Sequence, residues 1–368
     1  MINFRAFKYI HYSLLIVTVL LVLIGVVSIY SAAYQITLET NAQVHYAMKQ
    51  LAWACIGIFI FFVIIFYGYD GIYKLSYPLF LGNILLLVLV LVLGSVRHGS
   101  QRWLQFGGVL IQPSEFAKLT FVLALARYVS KNLMQNRSFM FVLKPLLLTF
   151  IPVILILQQP DLGTSLVFFP VFLSVIFVAG VNIRYLIKMS LVGITTMPFL
   201  WFCLRDYQKN RIRVFCDPNL DPTGLGYQAI QSKIAVGAGG LFGKGWLNGT
   251  QNQLNFLPKR HTDFIFSVIS EEWGFLGVVL VLSLYFLLVV MGIYIASKSK
   301  DTYGKLLAVG ISFMILSHVV INVGMTVGIM PITGLPLVFL SYGGSSMLTA
   351  LISIAILESI WIKRRYDY

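Results

Sequence analysis

The residues best suited to chemistry lie in the stretch LPKRHTDFIFSVISEEWGFLG, which runs from residue 257 to residue 277. Asp263 opens an apolar run, and Glu271 and Glu272 follow two turns later in a segment long enough to cross a bilayer. Carboxylates beside lipid are costly, so we expect all three to face water, a charged partner or a metal ion. Two structural explanations stay open: Thr262 or Asp263 caps a helix, and the glutamates pair with basic residues of an outer loop.

A second group of polar residues lies in GSQRWLQFGGVLIQPSEFAKL. Glu115 falls in the first turn of a predicted helix, and Lys118 follows three residues later on the same face, so the two can form an ion pair. Lys118 lies inside an apolar segment, and Arg102 and Trp103 stand just outside it. A cation in this position can meet an anionic lipid head group, although a purely structural ion pair is the alternative.

Two further motifs stand at the ends of apolar segments. In QQPDLGTSL, Asp161 is predicted to cap a helix. In MPITGLPLVFLSYGGSS, Pro331, Gly334 and Pro336 preclude a regular helix, Ser341 follows them, and Gly343 and Gly344 allow close backbone approach. Non-helical backbone at membrane depth must be buried in protein or line a cavity. A helix-packing face of small residues is the alternative interpretation.

The composition indicates the elements that must position these residues. Of 368 residues, 58% are hydrophobic and 11% are charged, which excludes an ordinary water-soluble domain. Apolar runs of about 20 residues can each cross the membrane as a helix. The sequence therefore predicts an all-α, polytopic membrane protein, a single domain over 1–368. It has ten spans, at about 13–33, 51–68, 75–94, 113–130, 139–157, 162–180, 185–204, 263–297, 305–329 and 340–361.

Charge indicates the orientation of the spans. Ten spans place both termini on one side, and the segments on that side hold most of the basic residues, including Arg5, Lys8, Arg137 and Lys363. Lysine and arginine mark the cytoplasmic face, so we expect both termini to be cytoplasmic. The net charge of +14 fits this orientation and anionic lipid. A nucleic-acid partner is not expected, because no aromatic-basic module is visible.

A long outer segment, about 205–262, precedes the eighth span. It is polar and glycine-rich, and so long a connection is usually either functional or disordered. The eighth helix, at 1.5 Å per residue, would be about 52 Å long, so Asp263 is expected in the outer interface or in a wet cavity. Gly274 is a candidate position for a kink. Together, the polar motifs predict an outward-facing cavity with acids on one side and bases on the other.

Five motifs in order resemble the SEDS family (shape, elongation, division and sporulation). These are GSQRWLQFGGVLIQPSEFAKL, QQPDLGTSL, LGYQAIQSKIAVGAGGLFGKG, LPKRHTDFIFSVISEEWGFLG and MPITGLPLVFLSYGGSS. They run from about residue 90 to 350. The short ends and the KRHTDF form look most like the elongation members. Trp273 stands where a leucine is expected, a change that concerns packing.

The resemblance implies a peptidoglycan glycosyltransferase that polymerises lipid II in the bacterial cytoplasmic (inner) membrane. It implies that Asp263 is catalytic and that Glu115 and Lys118 are functionally important. It also implies a class B penicillin-binding protein (a transpeptidase) as partner within an elongation complex. A divalent cation, Mg²⁺ or Mn²⁺, bound by Asp263 is the alternative to its role as a base, and no organic cofactor is expected.

The chemistry so implied assigns further roles. An inverting displacement needs a base for the acceptor hydroxyl, assigned to Asp263, and positive charge near the leaving pyrophosphate. Substrate-binding residues are therefore predicted at the ends of the spans and in the long outer segment. They are Arg102, Trp103, Asp161, Arg213, Lys244, Ser341, Gly343 and Gly344. Two other classes stay open. A lipid II flippase would concentrate polar groups near the midplane, and a non-catalytic scaffold for the penicillin-binding protein would need no acid–base groups.

Overall fold

A computed structural model of the chain describes residues 9–40, 46–97, 100–107, 109–133 and 139–365. The chain is mostly helical. The helices are α1 (Tyr12–Thr40), α2 (Tyr46–Tyr67), α3 (Tyr69–Leu93), α4 (Pro113–Asn132), α5 (Phe139–Gln158), α6 (Leu162–Val178), α7 (Ile183–Cys203), α8 (Asp206–Cys216), α9 (Leu225–Ala238), α10 (Thr250–Gln253), α11 (Ile265–Lys298), α12 (Thr302–Val327) and α13 (Gly344–Arg365).

Ten of these helices correspond to the ten predicted spans, which confirms the prediction of a polytopic helical protein. They are α1 to α7 and α11 to α13. By length and composition, seven helices within the described residues can cross a membrane. The chain is therefore a multi-pass membrane protein. The organisation as one domain over 1–368 stays a prediction.

The bundle is arranged around its two most buried helices. Most of the apolar length of α12 and α13 is enclosed by protein, and α4, α6 and α11 pack against α12. Most of α2 and α3 is exposed and carries large apolar side chains such as Phe59, Leu85 and Val92. In a membrane, these exposed apolar faces meet lipid.

A small β-sheet between α3 and α4 amends the all-α prediction. Strands β1 (Ser95–Arg97), β2 (Ser100–Phe106) and β3 (Val109–Ile111) form an antiparallel sheet in the order β1-β2-β3. This segment is too short and too polar for another span, so its backbone groups pair across hairpins instead. The sheet carries Arg102 and leads directly into α4.

The predicted outer loop is folded rather than extended. It contains α8, α9, α10 and a short 3₁₀ turn over Pro218–Leu220, and α9 packs against α11 and α12. A glycine-rich stretch then follows α9 and docks on α11. The docking contacts join backbone groups: Lys244 N–H donates to Glu271 O (3.0 Å), and Phe275 N–H donates to Gly240 O (2.8 Å).

The predicted kink at Gly274 is confirmed. Gly274 has φ +66°, ψ −164°, which is non-helical backbone inside α11. The break leaves the carbonyls of the preceding turn without helical partners, and the docked loop supplies N–H donors to them. A side chain at Gly274 would overlap the backbone of Gly243 and Leu241, so only glycine fits here.

The segment between α12 and α13, residues 328–343, is non-helical and largely buried, as its prolines and glycines predict. Side chains of the bundle satisfy its carbonyls. Asn322 Nδ2 donates to Leu335 O (2.8 Å), and the Tyr285 hydroxyl donates to Val338 O. We call residues 331–343 the re-entrant segment. Its burial fits the requirement that irregular backbone inside a membrane protein be enclosed by protein.

The start of α1 and the end of α13 lie together. His11 N–H donates to Glu358 Oε2 (2.9 Å), and the His11 and Trp361 rings are 4.8 Å apart. This proximity agrees with two ends on one side of the membrane; which side is cytoplasmic stays a prediction. The basic residues Arg5, Lys8 and Arg137, on which that prediction partly depends, lie outside the described residues.

Candidate functional site

Asp263 lies in a turn immediately before α11. Its N–H and that of Thr262 both donate to Lys259 O (3.1 Å), and its carbonyl accepts from Asn322 Nδ2 (2.9 Å). The N-cap of α11 is Phe264, and no side chain caps the helix. Helix capping therefore does not explain Asp263, and its carboxylate is available for another role.

The Asp263 carboxylate lies against bare backbone and among cations. A Cβ placed on Gly334, whose φ is +73°, would come within 3.4 Å of Asp263 Oδ2. Burial raises the pKa of Asp263, whereas Lys259, the Thr262 hydroxyl, Arg211 and Arg102 act in the opposite direction. The side chain nevertheless keeps partial exposure. Such a carboxylate can accept a proton and still be reached from outside.

Two arginines near Asp263 are held by backbone carbonyls. Arg211 Nη1 donates to Thr333 O (2.8 Å), and Arg102 donates to Gln159 O (3.0 Å) and to Pro160 O. Burial, and then the charge of Arg102, lowers the pKa of Arg211, because the two cations lie close together. Two neighbouring guanidinium groups form a site suited to an anion with several oxygens.

Asp161 both caps a helix and pairs with the cationic side chain of Arg102. Its carboxylate accepts from Thr164 N (3.1 Å) and Thr164 Oγ1 (2.9 Å) at the start of α6, as predicted. It also lies 3.7 Å from Arg102 Nη1. We call Asp263, Asp161, Arg102, Arg211 and Lys259 the outer charge cluster, after the face on which the sequence predicts them to lie. Trp103 follows Arg102 in β2, so its side chain points to the opposite face of the strand.

The structure replaces Arg213 with Arg211 in this cluster. Both lie on α8, but residues two apart in a helix point about 200° apart. Arg213 is exposed, with its guanidinium 5.9 Å from the Trp201 ring. The sequence predicted Arg213 from this stretch, and it is the rotation of α8 that places Arg211 in the cluster.

Glu115 and Lys118 form the predicted ion pair, with Lys118 Nζ 2.8 Å from Glu115 Oε1. Both are almost fully buried, and Lys118 Nζ also lies 2.7 Å from His318 Nε2 on α12. They line a small pocket with Val338 of the re-entrant segment and residues of α12 and α13. The pair therefore meets the inner side of the re-entrant segment rather than an open mouth.

The two glutamates of α11 bind the outer loop. Glu271 accepts from Lys244 Nζ (2.8 Å) and from Thr250 Oγ1 (3.0 Å), so the ion-pair interpretation is confirmed for Glu271. Glu272 accepts from the Ser31 hydroxyl and from Asn252 Nδ2. Lys244 therefore fixes the loop on α11 in this structure. Its assignment to substrate stays a prediction.

Ser341 and the two glycines anchor the re-entrant segment. Ser341 Oγ donates to Thr262 O (2.6 Å), next to Asp263, and accepts from Leu337 N (2.8 Å). Gly343 N donates to Gln50 Oε1 (3.1 Å), and a side chain at Gly344 would overlap the Trp53 ring. These contacts hold the segment beside Asp263, so the three residues support the site through the backbone.

A second pocket adjoins the cluster. It lies between α8, α9 and residues 328–332, and Arg211 and Lys233 bring positive charge to an otherwise mostly apolar lining. His261, beside Asp263 in the sequence, is not a further cation at neutral pH. Burial, and then Arg260, lowers its pKa to about 4. The sequence did not single out Arg211 or Lys259, although Lys259 lies within the motif LPKRHTDF.

The cluster does not form a metal site from protein ligands alone. Among the described residues, no three His, Cys, Asp or Glu side chains are grouped to hold an ion. Asp263 contributes one carboxylate, and its charged neighbours are Lys259, Arg211 and Arg102. These cations would repel a divalent ion unless an anionic substrate brought further oxygen ligands.

The fold and the cluster together define a class: a multi-pass membrane protein with a charged site at one end of its helical bundle. Comparison with known sequences specifies the family. Residues 11–366 match the model of the FtsW/RodA/SpoVE family, described as a cell cycle protein. The chain therefore belongs to this family, which is the SEDS family expected from its motifs.

Several curated relatives are similar over most of the chain. Peptidoglycan glycosyltransferase MrdB of Escherichia coli K12 is 43% identical over 288 residues, covering 77% of this chain and 76% of the relative. Peptidoglycan glycosyltransferase RodA of Treponema pallidum is 35% identical, covering 95% and 96%. Stage V sporulation protein E of Bacillus subtilis is 40% identical, covering 96% and 97%.

Solved structures show the same fold. A chain from a study of structural coordination of polymerization and crosslinking by a peptidoglycan synthase complex superposes with a TM-score of 0.82. It is 34% identical, and the match covers 97% of this chain and 99% of that chain. The rod shape determining protein RodA of Thermus thermophilus superposes with a TM-score of 0.72 at 30% identity, covering 97% and 98%.

Proposed function

We propose that this protein is a peptidoglycan glycosyltransferase that polymerises lipid II into glycan strands during cell elongation. The observation that carries the proposal is the partly exposed Asp263 carboxylate, with a pKa raised by burial, beside Arg211 and Arg102. The names of the curated relatives support the same activity. The site offers a base and a cationic anion site side by side, which is what glycosyl transfer from a lipid pyrophosphate requires.

The reaction is a single inverting displacement. The 4-hydroxyl oxygen of an acceptor sugar attacks the anomeric carbon of a lipid-linked donor, and the bond from that carbon to the pyrophosphate oxygen breaks. Asp263 accepts the hydroxyl proton, and undecaprenyl pyrophosphate leaves. Because inversion needs one displacement only, no second carboxylate is required as a nucleophile. A positioned base contributes roughly 10²–10⁴ in rate.

The cations of the outer charge cluster stabilise the leaving group. Arg102 and Arg211 are fixed by backbone carbonyls, so they are oriented before the substrate arrives. Preorganised donors aimed at developing charge act strongly where water is excluded. Lys259 is exposed at the edge of the same cluster. The reacting sugars would lie in water at this face, and the polyprenyl tails would lie in lipid beside the bundle.

A divalent cation is part of the proposal only together with substrate. Mg²⁺ is commonly held by one or two carboxylates and by phosphate oxygens. Asp263 would contribute the carboxylate, and bound Mg²⁺ or Mn²⁺ would supply positive charge to the pyrophosphate. The roles of Asp263 and the arginines do not depend on this ion.

The cellular setting is proposed by analogy with the relatives. The site would face outward from the bacterial cytoplasmic membrane, with both termini in the cytoplasm. The partner would be a class B penicillin-binding protein within an elongation complex. The matched study of a complex that coordinates polymerization and crosslinking supports a transpeptidase partner.

The test is polymerisation of lipid II by purified protein with its partner, followed by gel analysis of the glycan. Asp263→Ala should lower the rate by about 10²–10⁴ while the protein keeps its thermal stability. Asp206→Asn, at an exposed carboxylate of α8, is the matched control and should retain activity. If Asp263→Ala made polymer at the wild-type rate, Asp263 would not be the general base. Lipid II crossing liposomes without polymer would favour a transporter instead.

A further inference from the structure

A chain of hydrogen bonds crosses the interior of the bundle from α4 to the re-entrant segment. Lys118 Nζ lies 2.8 Å from Glu115 Oε1 and 2.7 Å from His318 Nε2, and His318 Nδ1 lies 2.9 Å from Pro336 O. Glu115, Lys118 and His318 are 3%, 2% and 1% exposed. Burial of this extent requires that each polar atom be matched to a partner of the right kind.

The partners fix the state of the imidazole. The Pro336 carbonyl can only accept, so His318 Nδ1 must carry a hydrogen and donate it. The Lys118 ammonium has only donors, so His318 Nε2 must be the acceptor. Both ends therefore require the same neutral tautomer, with its proton on Nδ1. A cationic imidazole beside the buried ammonium would add repulsion and would lose the acceptor.

The same face of α12 also holds Asp263. His318 and Asn322 are four residues apart, so they lie on one side of the helix. Asn322 Nδ2 donates to Leu335 O (2.8 Å) and to Asp263 O (2.9 Å). Two successive carbonyls of the re-entrant segment, those of Leu335 and Pro336, are thus bound to two successive turns of α12.

The segment so held touches the reacting carboxylate. Gly334, which precedes Leu335, lies against Asp263, because a Cβ at Gly334 would come within 3.4 Å of Asp263 Oδ2. The bond from His318 to Pro336 therefore bears on the position of Asp263.

We propose that His318 is a positioning residue: it joins the buried Glu115–Lys118 pair to the Pro336 carbonyl and thereby holds the re-entrant segment against Asp263. This inference rests on the proposed glycosyl transfer, in which Asp263 is the base. It also gives Lys118 a role through His318, at the inner side of the segment.

Two substitutions separate the two bonds of His318. The amide nitrogen of asparagine can occupy the position of Nδ1, so His318→Asn keeps the donor to Pro336 and loses the acceptor for Lys118. Glutamine reaches the position of Nε2, so His318→Gln keeps the acceptor for Lys118 and loses the donor to Pro336. One variant preserves the segment contact, and the other preserves the satisfied ammonium.

Activity and stability should therefore rank in opposite orders. We expect His318→Gln to keep a Tm near wild type while its kcat in lipid II polymerisation falls by about 10–100-fold, because a small misplacement of a reacting group is costly. Its KM for lipid II should stay unchanged, since the cations of the outer charge cluster are intact. His318→Asn should have the lower Tm and the higher kcat of the two.

A purely structural histidine would make activity follow stability, and that result would overturn the proposal. If either variant fails to fold, the wild-type protein provides the decision. With ¹⁵N-histidine labelling, the resonances of His318 should report the neutral Nδ1–H tautomer between about pH 6 and pH 8. A cationic ring or the opposite tautomer would also overturn the proposal.

Two controls distinguish failure of this inference from failure of the proposed function. Wild-type protein that makes no glycan, or an active Asp263→Ala variant, contradicts the proposed function and the inference with it. An active wild type, an inactive Asp263→Ala and equal kcat values for His318→Gln and wild type contradict only the role of His318.

Discussion

Single side chains near Asp263 differ in role according to small differences in position. Arg211 binds Thr333 O inside the cluster, whereas Arg213, two residues later in the same helix, is exposed beside Trp201. Asp161 serves as a helix cap and as the partner of Arg102 at once. Residues that are close in sequence therefore do not always belong to the same site.

The two arginines of α8 provide a matched pair of substitutions. Arg211→Gln should lower kcat for lipid II polymerisation by about 10²–10³, because it removes an oriented donor beside the leaving group. Arg213→Gln removes the same charge from the exposed face of α8 and should leave kcat near wild type. Kinetic assays of both purified variants would check this. Equal losses would show that only the net charge of α8 matters.

The pH dependence of the reaction tests the charge environment of Asp263. Asp263 is a base only when ionised, so activity should fall as pH drops through its raised pKa. Lys259 is the strongest influence lowering that pKa, so Lys259→Gln should raise it further. The acidic limb of the kcat/KM profile should then move to higher pH. For Lys305→Gln, an exposed lysine at the start of α12, the profile should be unchanged.

The sign for stability is the reverse of the sign for activity. Because the folded-state pKa of Asp263 is raised, the folded state binds this proton more tightly than the unfolded state does. The contribution is present at low pH and is lost as pH rises through the folded pKa. Ionisation of Asp263 therefore costs stability above that pKa, which is typical of a group maintained for function.

Two breaks in regular secondary structure shape the site: the kink in α11 and the re-entrant segment. The break of α11 at Gly274 exposes the carbonyls of Glu271 and Glu272, and the loop that follows α9 binds them through Lys244 N and Gly245 N. The re-entrant segment is likewise held by side chains instead of helical bonds. Both interruptions replace local hydrogen bonds with contacts between distant parts of the chain.

Gly274→Ala should therefore be strongly destabilising. An alanine there must adopt φ +66° and would overlap the docked loop, so we expect a loss of about 3 kcal/mol. Gly237→Ala is the matched control. Gly237 is exposed in α9, and a Cβ there meets nothing within 4 Å, so alanine should stabilise the helix by up to about 1 kcal/mol. Thermal unfolding in detergent would compare the two.

The whole molecule is an asymmetric bundle. The outer charge cluster, the β-sheet and the helices of the long loop gather at one end. His11 and Glu358 join α1 to α13 at the start of the first span and the end of the last. The apolar surfaces of α2 and α3 remain at the periphery. A substrate with a lipid tail and wet sugars fits this distribution, because its two parts need different surroundings.

Cysteine labelling tests the orientation of the bundle. Cys216 is exposed at the end of α8, on the proposed outer face. A membrane-impermeant maleimide should label it in intact spheroplasts when Cys55 and Cys203 have been replaced by alanine. With Cys216→Ser added and Lys298→Cys introduced at the end of α11, labelling should require permeabilised membranes. Labelling of Lys298→Cys in intact spheroplasts would show that the topology is the opposite of the one proposed.

Much of the fold could be predicted because hydropathy and helix breakers act locally. Runs of apolar residues identify the ten long helices, Gly274 marks the kink, and the prolines around Gly334 exclude a helix before α13. The β-sheet was missed because its strands are only three to seven residues long. Strands so short are stabilised by pairing between neighbours, which no single segment displays.

The sequence by itself determined the helices and the ends of the helices at which most polar residues lie. Unpaired polar groups are costly inside the hydrocarbon, so they gather where the spans begin and end. It predicted the Glu115–Lys118 pair from helical spacing alone. Only the tertiary structure decided that Lys118 meets His318, 200 residues away, and that Arg211 rather than Arg213 joins Asp263. Those contacts depend on the order and rotation of helices in the bundle, which are set by packing between distant segments.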